Sequence, residues 1–357
     1  MHESPVTRAF TQVTTARLML RRPREEDRAA YIAVHTDPRL YGPAPAAVLS
    51  VPDADQAFTR MLQSWDQDGF GYWVAVDRGS GAVIGVAGVR PEGAETANLY
   101  YRFDADRHGL GLGREAARAA VGIASEWLPG RRVEADIRDA HVTSIRVATA
   151  AGLERVDVSH RSREGAATTP ASRYAAPTLA RVDSLTDTVR ADLLDLWARV
   201  TDAGGSVGFL PGAPRERIAA ALAEHEAQMD AGAAYGAALR HRDGRLAGWG
   251  WWVRSVNPLL AHGRWLYRLM VDPRLQGRNL GAILLAGMIG LARAEGAELL
   301  VLGYRSGSGL GHFYGRFGFT EVGRIPAAIR VAPGDDRDDV TMARRVDAAP
   351  MRADGRT

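Results

Sequence analysis

The pattern of hydrophobic and polar positions occurs twice along the chain. Short apolar runs bounded by turn-forming residues predict hairpin strands in each half, and longer alanine- and leucine-rich runs predict helices. The strand candidates are residues 72–76, 83–87, 98–103 and 132–138 in the first half and residues 234–239, 246–253, 265–271 and 299–304 in the second. Both halves therefore predict the same order of helices and strands, which indicates two copies of an α+β fold.

Glycine-rich segments mark the same place in both halves. Residues 108–113 precede an alanine-rich helical run, and residues 276–281 precede another at an offset of 168 residues. Residues 151–156 resemble residues 317–322 at an offset of 166. A repeat at nearly constant spacing indicates two copies of one unit.

Breaks in the pattern predict where each unit ends. We expect the first domain over residues 1–165 and the second over residues 178–347. Residues 166–177 are small and polar and contain two prolines, which interrupt regular structure, so they predict a linker. Residues 348–357 predict a C-terminal tail.

Composition narrows the class of protein. The 357 residues are 46% hydrophobic and 24% charged, an ordinary mixture for a folded protein. The absence of cysteine excludes disulfides, thiolate metal sites and a cysteine nucleophile. All 45 basic residues are arginine, against 42 acidic residues, with no long basic block. No apolar run is long enough for a bilayer and no signal pattern opens the chain. We therefore expect a cytoplasmic protein that binds no metal, nucleic acid or membrane.

The second glycine-rich segment carries a resemblance to a known family. A loop that joins a strand to a helix N-terminus suits a phosphate, because exposed N–H groups and the helix dipole favour negative charge. Residues 271–281, Val-Asp-Pro-Arg-Leu-Gln-Gly-Arg-Asn-Leu-Gly, resemble motif A of the GCN5-related N-acetyltransferases (GNAT). The resemblance implies that acetyl-CoA binds with its pyrophosphate on this loop and its pantetheine along the preceding strand. The residues implied are Met270, Val271, Gln276, Gly277, Arg278, Asn279, Leu280 and Gly281.

The first half resembles the ribosomal-protein acetyltransferases of the same family. Residues 103–116 fit motif A, with a histidine where glutamine or arginine is usual. A second departure is His141, at a position where that subgroup usually has asparagine. The resemblance leaves open whether this half is a second acetyl-CoA site, a degenerate one or a scaffold. Its candidate cofactor residues are His108, Gly109, Gly111, Gly113 and Ser144.

Motif B distinguishes the two halves. Residues 311–319, Gly-His-Phe-Tyr-Gly-Arg-Phe-Gly-Phe, place Tyr314 where the family has its general acid. The first half has no tyrosine at the corresponding place, so the resemblance implies that the C-terminal half is catalytic. The general base stays open between His262 and His312, which could titrate near neutral pH.

Two further features concern the acceptor. Trp249 and Trp251 share one face of a predicted strand and could wall an acceptor pocket, although packing in the core or at the interface between the two halves is the favoured interpretation. Asp336 lies in an acidic stretch, residues 335–339, that could hold a substrate ammonium or form a solvated loop.

The resemblance as a whole implies two tandem GNAT domains, each a mixed, mostly antiparallel sheet flanked by helices. It implies transfer of an acetyl group from acetyl-CoA to a primary amine of a small molecule or a peptide N-terminus. The alternative is an acyl-CoA-binding sensor or scaffold without transferase activity. Because the fold occurs twice, we expect a monomer that imitates a dimer within one chain.

Overall fold

The computed structural model of the protein describes residues 4–41, 48–159 and 171–347. The chain divides into two compact units between Ala176 and Pro177. The described residues form one sheet in each unit, with eight strands in the first and seven in the second.

The first unit mixes helices and strands in the predicted order. Its sheet has the strand order β1-β2-β3-β4-β5-β6-β8-β7, and every pairing is antiparallel except that of β5 with β6. The elements in chain order are α1 (Pro5–Thr11), β1 (Gln12–Thr14), β2 (Leu18–Arg21), α2 (Arg28–Thr36), α3 (Val51–Asp68), β3 (Tyr72–Asp77), β4 (Val83–Pro91), β5 (Thr96–Phe103), α4 (Leu112–Trp127), β6 (Arg132–Arg138), α5 (Val142–Ala150), β7 (Glu154–Ser159) and β8 (Ala171–Ala175).

The second unit repeats this topology. Its strand order is β14-β15-β13-β12-β11-β10-β9, and the parallel pair is β12 with β13. The elements in chain order are β9 (Thr178–Val182), α6 (Asp187–Asp202), α7 (Arg215–Asp230), β10 (Ala234–Arg240), β11 (Leu246–Val253), β12 (Gly263–Val271), α8 (Leu280–Ala294), β13 (Leu299–Arg305), α9 (Leu310–Gly315), β14 (Thr320–Ala332) and β15 (Asp335–Arg345). The predicted fold class is confirmed.

Helices cover both faces of each sheet. In the second unit, Trp251 packs with the apolar faces of α6 and α7, whereas the indole of the next residue, Trp252, donates a 2.8 Å hydrogen bond to the Met288 carbonyl oxygen of α8. Neighbouring strand residues point to opposite faces, so these two tryptophans bury both sides of β11. The first unit is built alike, with α4 on one face and α2 and α3 on the other.

Helix starts follow the capping rules. Ser50 accepts a hydrogen bond from the backbone N–H of Asp53 at the start of α3, and Thr186 does the same for Val189 at the start of α6. Such caps satisfy N–H groups that the helix itself leaves without partners. None of the described helices is both long and apolar enough to cross a bilayer.

Two segments predicted to lack regular structure are strands. β8 falls within the predicted linker, residues 166–177, and pairs between β6 and β7. β15 begins at Asp335, so the acidic stretch 335–339 is the start of a strand that pairs between β13 and β14. β8 places the polar Ser172 in the core, and the first five residues of β15 are all charged, so neither segment shows an apolar–polar alternation in the sequence. Residues 160–170 and the predicted tail, 348–357, lie outside the described residues.

Candidate active site

The parallel strands of the second unit separate along their length. β12 and β13 pair only as far as Leu266 and Leu302, although β12 continues to Val271. The last part of β12 therefore has one edge without a partner from β13. Met270 and Val271, which the sequence implies for the cofactor, lie on this stretch. An open strand edge can exchange backbone hydrogen bonds with an extended ligand.

A β-bulge interrupts β12 at the point of separation. Met270 lies opposite Trp249 and Tyr267 lies opposite Trp251, so β12 has one residue more than β11 between these pairs. Within the bulge, Arg268 has a φ angle of +51°. Bulges redirect side chains and backbone groups and are frequent next to active sites. In the first unit, by contrast, β4 and β5 keep a regular register throughout.

Arg268 is a cationic side chain in an apolar setting. Its guanidinium lies over the Trp197 ring, 5.4 Å from the ring centroid. Its Nε atom is buried without a hydrogen-bond partner, and no carboxylate among the described residues lies within 4 Å of the side chain. Burial lowers the pKa of Arg268 from its usual value. Sequence analysis misses this residue, because neither the bulge nor the position of Trp197 can be read from spacing.

The second glycine-rich segment forms the turn into α8. Gly277 has a φ angle of +82° and Asn279 one of +66°, both in the left-handed region. Asn279 is the N-cap of the 15-residue helix α8, so the asparagine supplies the backbone conformation for which the family most often uses glycine. Gln276, Gly277 and Arg278 are exposed on this turn, ahead of the helix N-terminus. The arrangement suits an anionic group such as a pyrophosphate.

A buried carboxylate fixes the start of this turn. The Asp272 carboxylate accepts hydrogen bonds from the backbone N–H of Arg274 at 3.1 Å and from its Nε atom at 2.9 Å. The Arg274 Nη2 atom donates a third bond at 2.6 Å, and Arg199 of α6 donates a fourth at 3.1 Å. The hydrogen bond from the Arg274 side chain lowers the pKa of Asp272 to about 2. The carboxylate therefore ties the end of β12 to α6.

Tyr314 lies in the short helix α9, against the N-terminus of α8. Its neighbour Phe313 faces Gly281, where an added Cβ would lie 3.8 Å from the Phe313 ring. Tyr314 is 6% exposed, and its ring centroid lies 6.1 Å from that of Tyr304 on the separated part of β13. Burial raises the pKa of Tyr314, so the phenol keeps its proton at neutral pH. None of the described residues hydrogen-bonds to the Tyr314 hydroxyl.

The first unit has the same contact between its long helix and the following short helix, but no tyrosine at this place. An added Cβ at Gly113 would lie 3.8 Å from Val147, just as one at Gly281 would lie 3.8 Å from Phe313. Val147 and Phe313 are therefore equivalent, and the residue that follows Val147 is Ala148, which is fully buried. The first unit thus has a methyl group where the second unit has the phenol of Tyr314.

The first unit also retains an open cleft in front of its glycine loop. Gly109 and Gly111 have φ angles of +79° and +75°, and Gly111 is the N-cap of α4. The cleft has a volume of about 740 Å³ and is lined by His108, Gly109, Gly111, Gly113 and Ser144, the five residues implied by the sequence. β5 and β6 separate after Asn98 and Glu134, which opens the cleft. The structure thus brings these residues together.

Trp249 and Trp251 belong to the core. Both are fully buried and pack edge to face, with ring centroids 5.4 Å apart. Trp251 also stacks on His225, at 4.5 Å, and burial lowers the pKa of His225 to about 4. Neither tryptophan exposes side-chain surface, which favours the packing interpretation over the pocket wall.

The other polar candidates are an ion-paired carboxylate and two exposed histidines. Asp336 forms an ion pair with Arg330, at 2.7 Å, across the β14–β15 hairpin. His262 is exposed and precedes β12, so it lies roughly 30 Å of extended strand away from the glycine loop that follows Val271. His312 is exposed on α9. No group of three or more potential metal ligands occurs among the described residues.

Comparison with known protein families identifies the two domains. Residues 17–154 match one acetyltransferase (GNAT) domain family, and residues 215–327 match a second acetyltransferase (GNAT) domain family. The chain belongs to the GNAT acetyltransferase family. Both tandem domains carry the match, so the predicted family is confirmed and the protein is an N-acetyltransferase.

Solved GNAT structures resemble about half of the chain each. A GNAT family acetyltransferase from Bacillus anthracis is 18% identical over 46% of this chain and 96% of its own, with a TM-score of 0.41. One from Streptococcus pneumoniae is 19% identical over 47% and 99%, with a TM-score of 0.39. A ribosomal-protein-alanine N-acetyltransferase from Brucella melitensis is 18% identical over 47% and 99%, with a TM-score of 0.39.

Proposed function

We propose that the second GNAT unit transfers an acetyl group from acetyl-CoA to a primary amine of a small molecule or a peptide N-terminus. GNAT acetyltransferases act on amine acceptors, so the reaction class follows from the family, whereas the unit that performs it is our proposal. The observation that supports it is the phenol of Tyr314 beside the helix that follows the glycine loop. The first unit has Ala148 at the equivalent place.

Acetyl-CoA fits the residues of the second unit. The turn formed by Gln276, Gly277, Arg278 and Asn279 would hold the pyrophosphate with backbone N–H groups, together with the first residues of α8, Leu280 and Gly281. The open edge of β12 at Met270 and Val271 would hold the pantetheine by strand-like hydrogen bonds.

Acetyl transfer releases the CoA thiolate, so the reaction needs a proton donor near the sulfur of acetyl-CoA. The neutral amine nitrogen attacks the thioester carbonyl carbon, and backbone N–H groups of β12 stabilise the oxyanion of the tetrahedral intermediate. The nitrogen of this intermediate loses a proton to solvent water as the carbon–sulfur bond breaks. Tyr314 donates its O–H proton to the departing thiolate and regains a proton from solvent before the next turnover. Because burial raises the pKa of Tyr314, the acid form persists across the neutral range and into the alkaline range.

Tyr314→Phe tests this proposal directly. The protein has no cysteine, so a thiol reagent reports only the CoA that the reaction releases. We expect the variant to lose at least tenfold in kcat, with an unchanged Kd for acetyl-CoA, because general acid catalysis contributes ~10²–10⁴-fold. The assay would use a panel of primary amines, including a peptide with a free N-terminus and an amino sugar.

Two matched tyrosine variants complete the test. Tyr235 lies on β10, and its buried hydroxyl has no hydrogen-bond partner among the described residues. Tyr235→Phe should therefore leave kcat unchanged. Tyr101→Phe removes the hydroxyl that donates to the Ser144 carbonyl oxygen at 2.7 Å in the first unit. A loss of kcat in Tyr101→Phe with wild-type turnover in Tyr314→Phe would move the chemistry to the first unit. Acetyl-CoA binding without CoA release from any amine would instead support a sensor or scaffold.

A further inference from the structure

A second cavity of the first unit lies beside the glycine-loop cleft. It has a volume of about 590 Å³ and extends between α2, α3 and the strands β4, β5 and β6. Tyr101, Arg102, His141 and Ser144 line both cavities, so the two meet where β5 and β6 separate. This volume lies in the range of small-molecule pockets, ~300–1,000 Å³.

Four arginines line this second cavity among the described residues. They come from four different elements and are Arg60 of α3, Arg90 of β4, Arg102 of β5 and Arg138 of β6. None of the four has a carboxylate within 4 Å among the described residues. The acidic residue in the lining is Asp136, and it already pairs with Arg173 at 3.1 Å. The cavity therefore concentrates positive charge that the described residues do not neutralise.

Tyrosine rings hold two of these guanidinium groups in place. Arg102 lies 4.3 Å from the Tyr41 ring centroid and donates a hydrogen bond to the Tyr41 hydroxyl. Arg90 lies 5.6 Å from the ring centroid of Tyr72. Stacking on aromatic rings leaves the N–H edge of a guanidinium free to bind an oxyanion in a forked geometry. The arginines are thus positioned without being paired.

Of the two histidines that line the cavity, His35 and His141, the first is held by hydrogen bonds and carries no charge at neutral pH. His35 lies with Nδ1 2.8 Å from the Tyr31 carbonyl oxygen, which requires a proton on Nδ1, and Nε2 accepts from the Tyr100 hydroxyl at 3.0 Å. Burial, the larger cause, and the charge of Arg102 lower the pKa of His35 to about 4. His35 is therefore neutral at pH 7, and its role is to orient Tyr31 and Tyr100.

We infer that this arginine cavity binds a small molecule that carries at least two oxyanion groups, phosphate or carboxylate. A pocket for a simple cationic amine would present carboxylates, whereas this one presents uncompensated guanidinium groups. An amine carried on such an anion would also lose its proton more easily here, because nearby positive charge disfavours an ammonium. The inference concerns the first unit and does not depend on the proposed function of the second.

Titration calorimetry at low salt tests the inference. Pyrophosphate and citrate are the phosphate and carboxylate probes, glucose 6-phosphate is a singly phosphorylated probe, and glucose is the neutral control. We expect binding of at least one of the two polyanions, at least tenfold tighter than glucose, and weaker binding as salt rises. A preference between pyrophosphate and citrate would identify the group that the cavity selects. Equally weak binding of all four probes would overturn the inference.

Arginine variants locate the binding. Arg102→Gln and Arg138→Gln should each weaken polyanion binding at least tenfold. Arg24→Gln, an exposed arginine of the same unit outside the cavity, should change it less than twofold. Arg102→Lys keeps the charge but not the forked geometry and serves as a second variant if Arg102→Gln unfolds. Loss of polyanion binding at saturating CoA, with no effect of the cavity variants, would assign the anion to the glycine loop and overturn the inference.

Discussion

A single side chain separates the two units most sharply. Ala148 and Tyr314 occupy equivalent places on equivalent helices, as the contacts of Gly113 and Gly281 show. A methyl group cannot donate a proton, whereas a buried phenol with a raised pKa holds one. At the scale of the residue, the repeat thus allows two related sites to perform different tasks.

A substitution of Arg268 should affect the stability of the fold and the enzymatic activity differently. The side chain of Arg268 is half-buried, and its Nε atom is buried without a hydrogen-bond partner. Replacement of such a charge by an apolar side chain of similar size is often neutral or stabilising. We therefore expect Arg268→Met to leave the thermal midpoint unchanged or to raise it. CoA release with the best amine should fall at least tenfold, because Arg268 lies in the β12 bulge next to the open strand edge. Both are measured on the same samples, by thermal unfolding and by the thiol assay.

Arg264 on the same strand supplies the control. It lies 3.6 Å from Glu295 and donates to the carbonyl oxygens of Ala261 and Gly263. Arg264→Met should therefore lower the thermal midpoint, because it removes two hydrogen bonds to backbone carbonyl oxygens and one of the ion pairs of Glu295. A fall in the midpoint of Arg268→Met as large as that of Arg264→Met would show that Arg268 serves the fold.

At the scale of the element, the turn before α8 depends on the buried Asp272. The pKa of Asp272 is lower in the folded protein, about 2, than its ordinary value of 3.8. The carboxylate therefore stabilises the fold above the unfolded pKa, and this contribution is lost as pH falls from about 5 towards 2. We expect Asp272→Asn to cost about 1–2 kcal/mol at pH 7 and progressively less at pH 4 and 3. Urea unfolding at each pH measures the difference.

The chain offers a matched control for this prediction. Asp243 binds the backbone N–H and the Nε atom of Arg245, the same pattern as Asp272 with Arg274, but in an exposed turn. Asp243→Asn should change the free energy of unfolding less than Asp272→Asn at every pH. If the effect of Asp272→Asn were independent of pH, its origin would be packing rather than the carboxylate charge.

Sequence reasoning reaches the elements that carry strong local signals. Glycine spacing and apolar periodicity are local, so the two loops, the helices α4 and α8 and most strands are predicted correctly. β8 and the start of β15 are missed because β8 buries the polar Ser172 and residues 335–339 are all charged, so neither shows an apolar–polar alternation. The bulge at Arg268 follows from the pairing of whole strands, which single-sequence periodicity does not report. The burial of Trp249 agrees with the packing interpretation that the sequence favoured. The arginine cavity assembles from four elements far apart in sequence and leaves no motif.

At the scale of the whole molecule, both units contain the structural elements that would bind acetyl-CoA. Each unit has a left-handed turn, a long helix that begins at it, and a pair of parallel strands that separate beside it. We therefore expect calorimetry to detect two acetyl-CoA sites per chain. A tryptophan at Gly281 would fill the space beside Phe313 and Val271, and one at Gly113 would fill the space beside Val147 and Tyr101.

Each tryptophan variant should remove one site and leave the other. Alanine at either glycine meets its neighbours at ordinary contact distance, 3.8 Å, so Gly113→Ala and Gly281→Ala should keep both sites and serve as controls. Each site is built from residues of one unit alone, so the two substitutions should act independently and the double tryptophan variant should bind none. A single site that is lost in Gly281→Trp alone would mean that the first unit has kept the frame without the cofactor. A single site that is lost in Gly113→Trp alone would remove the main support for chemistry in the second unit, because Tyr314 would then have no thiolate to protonate.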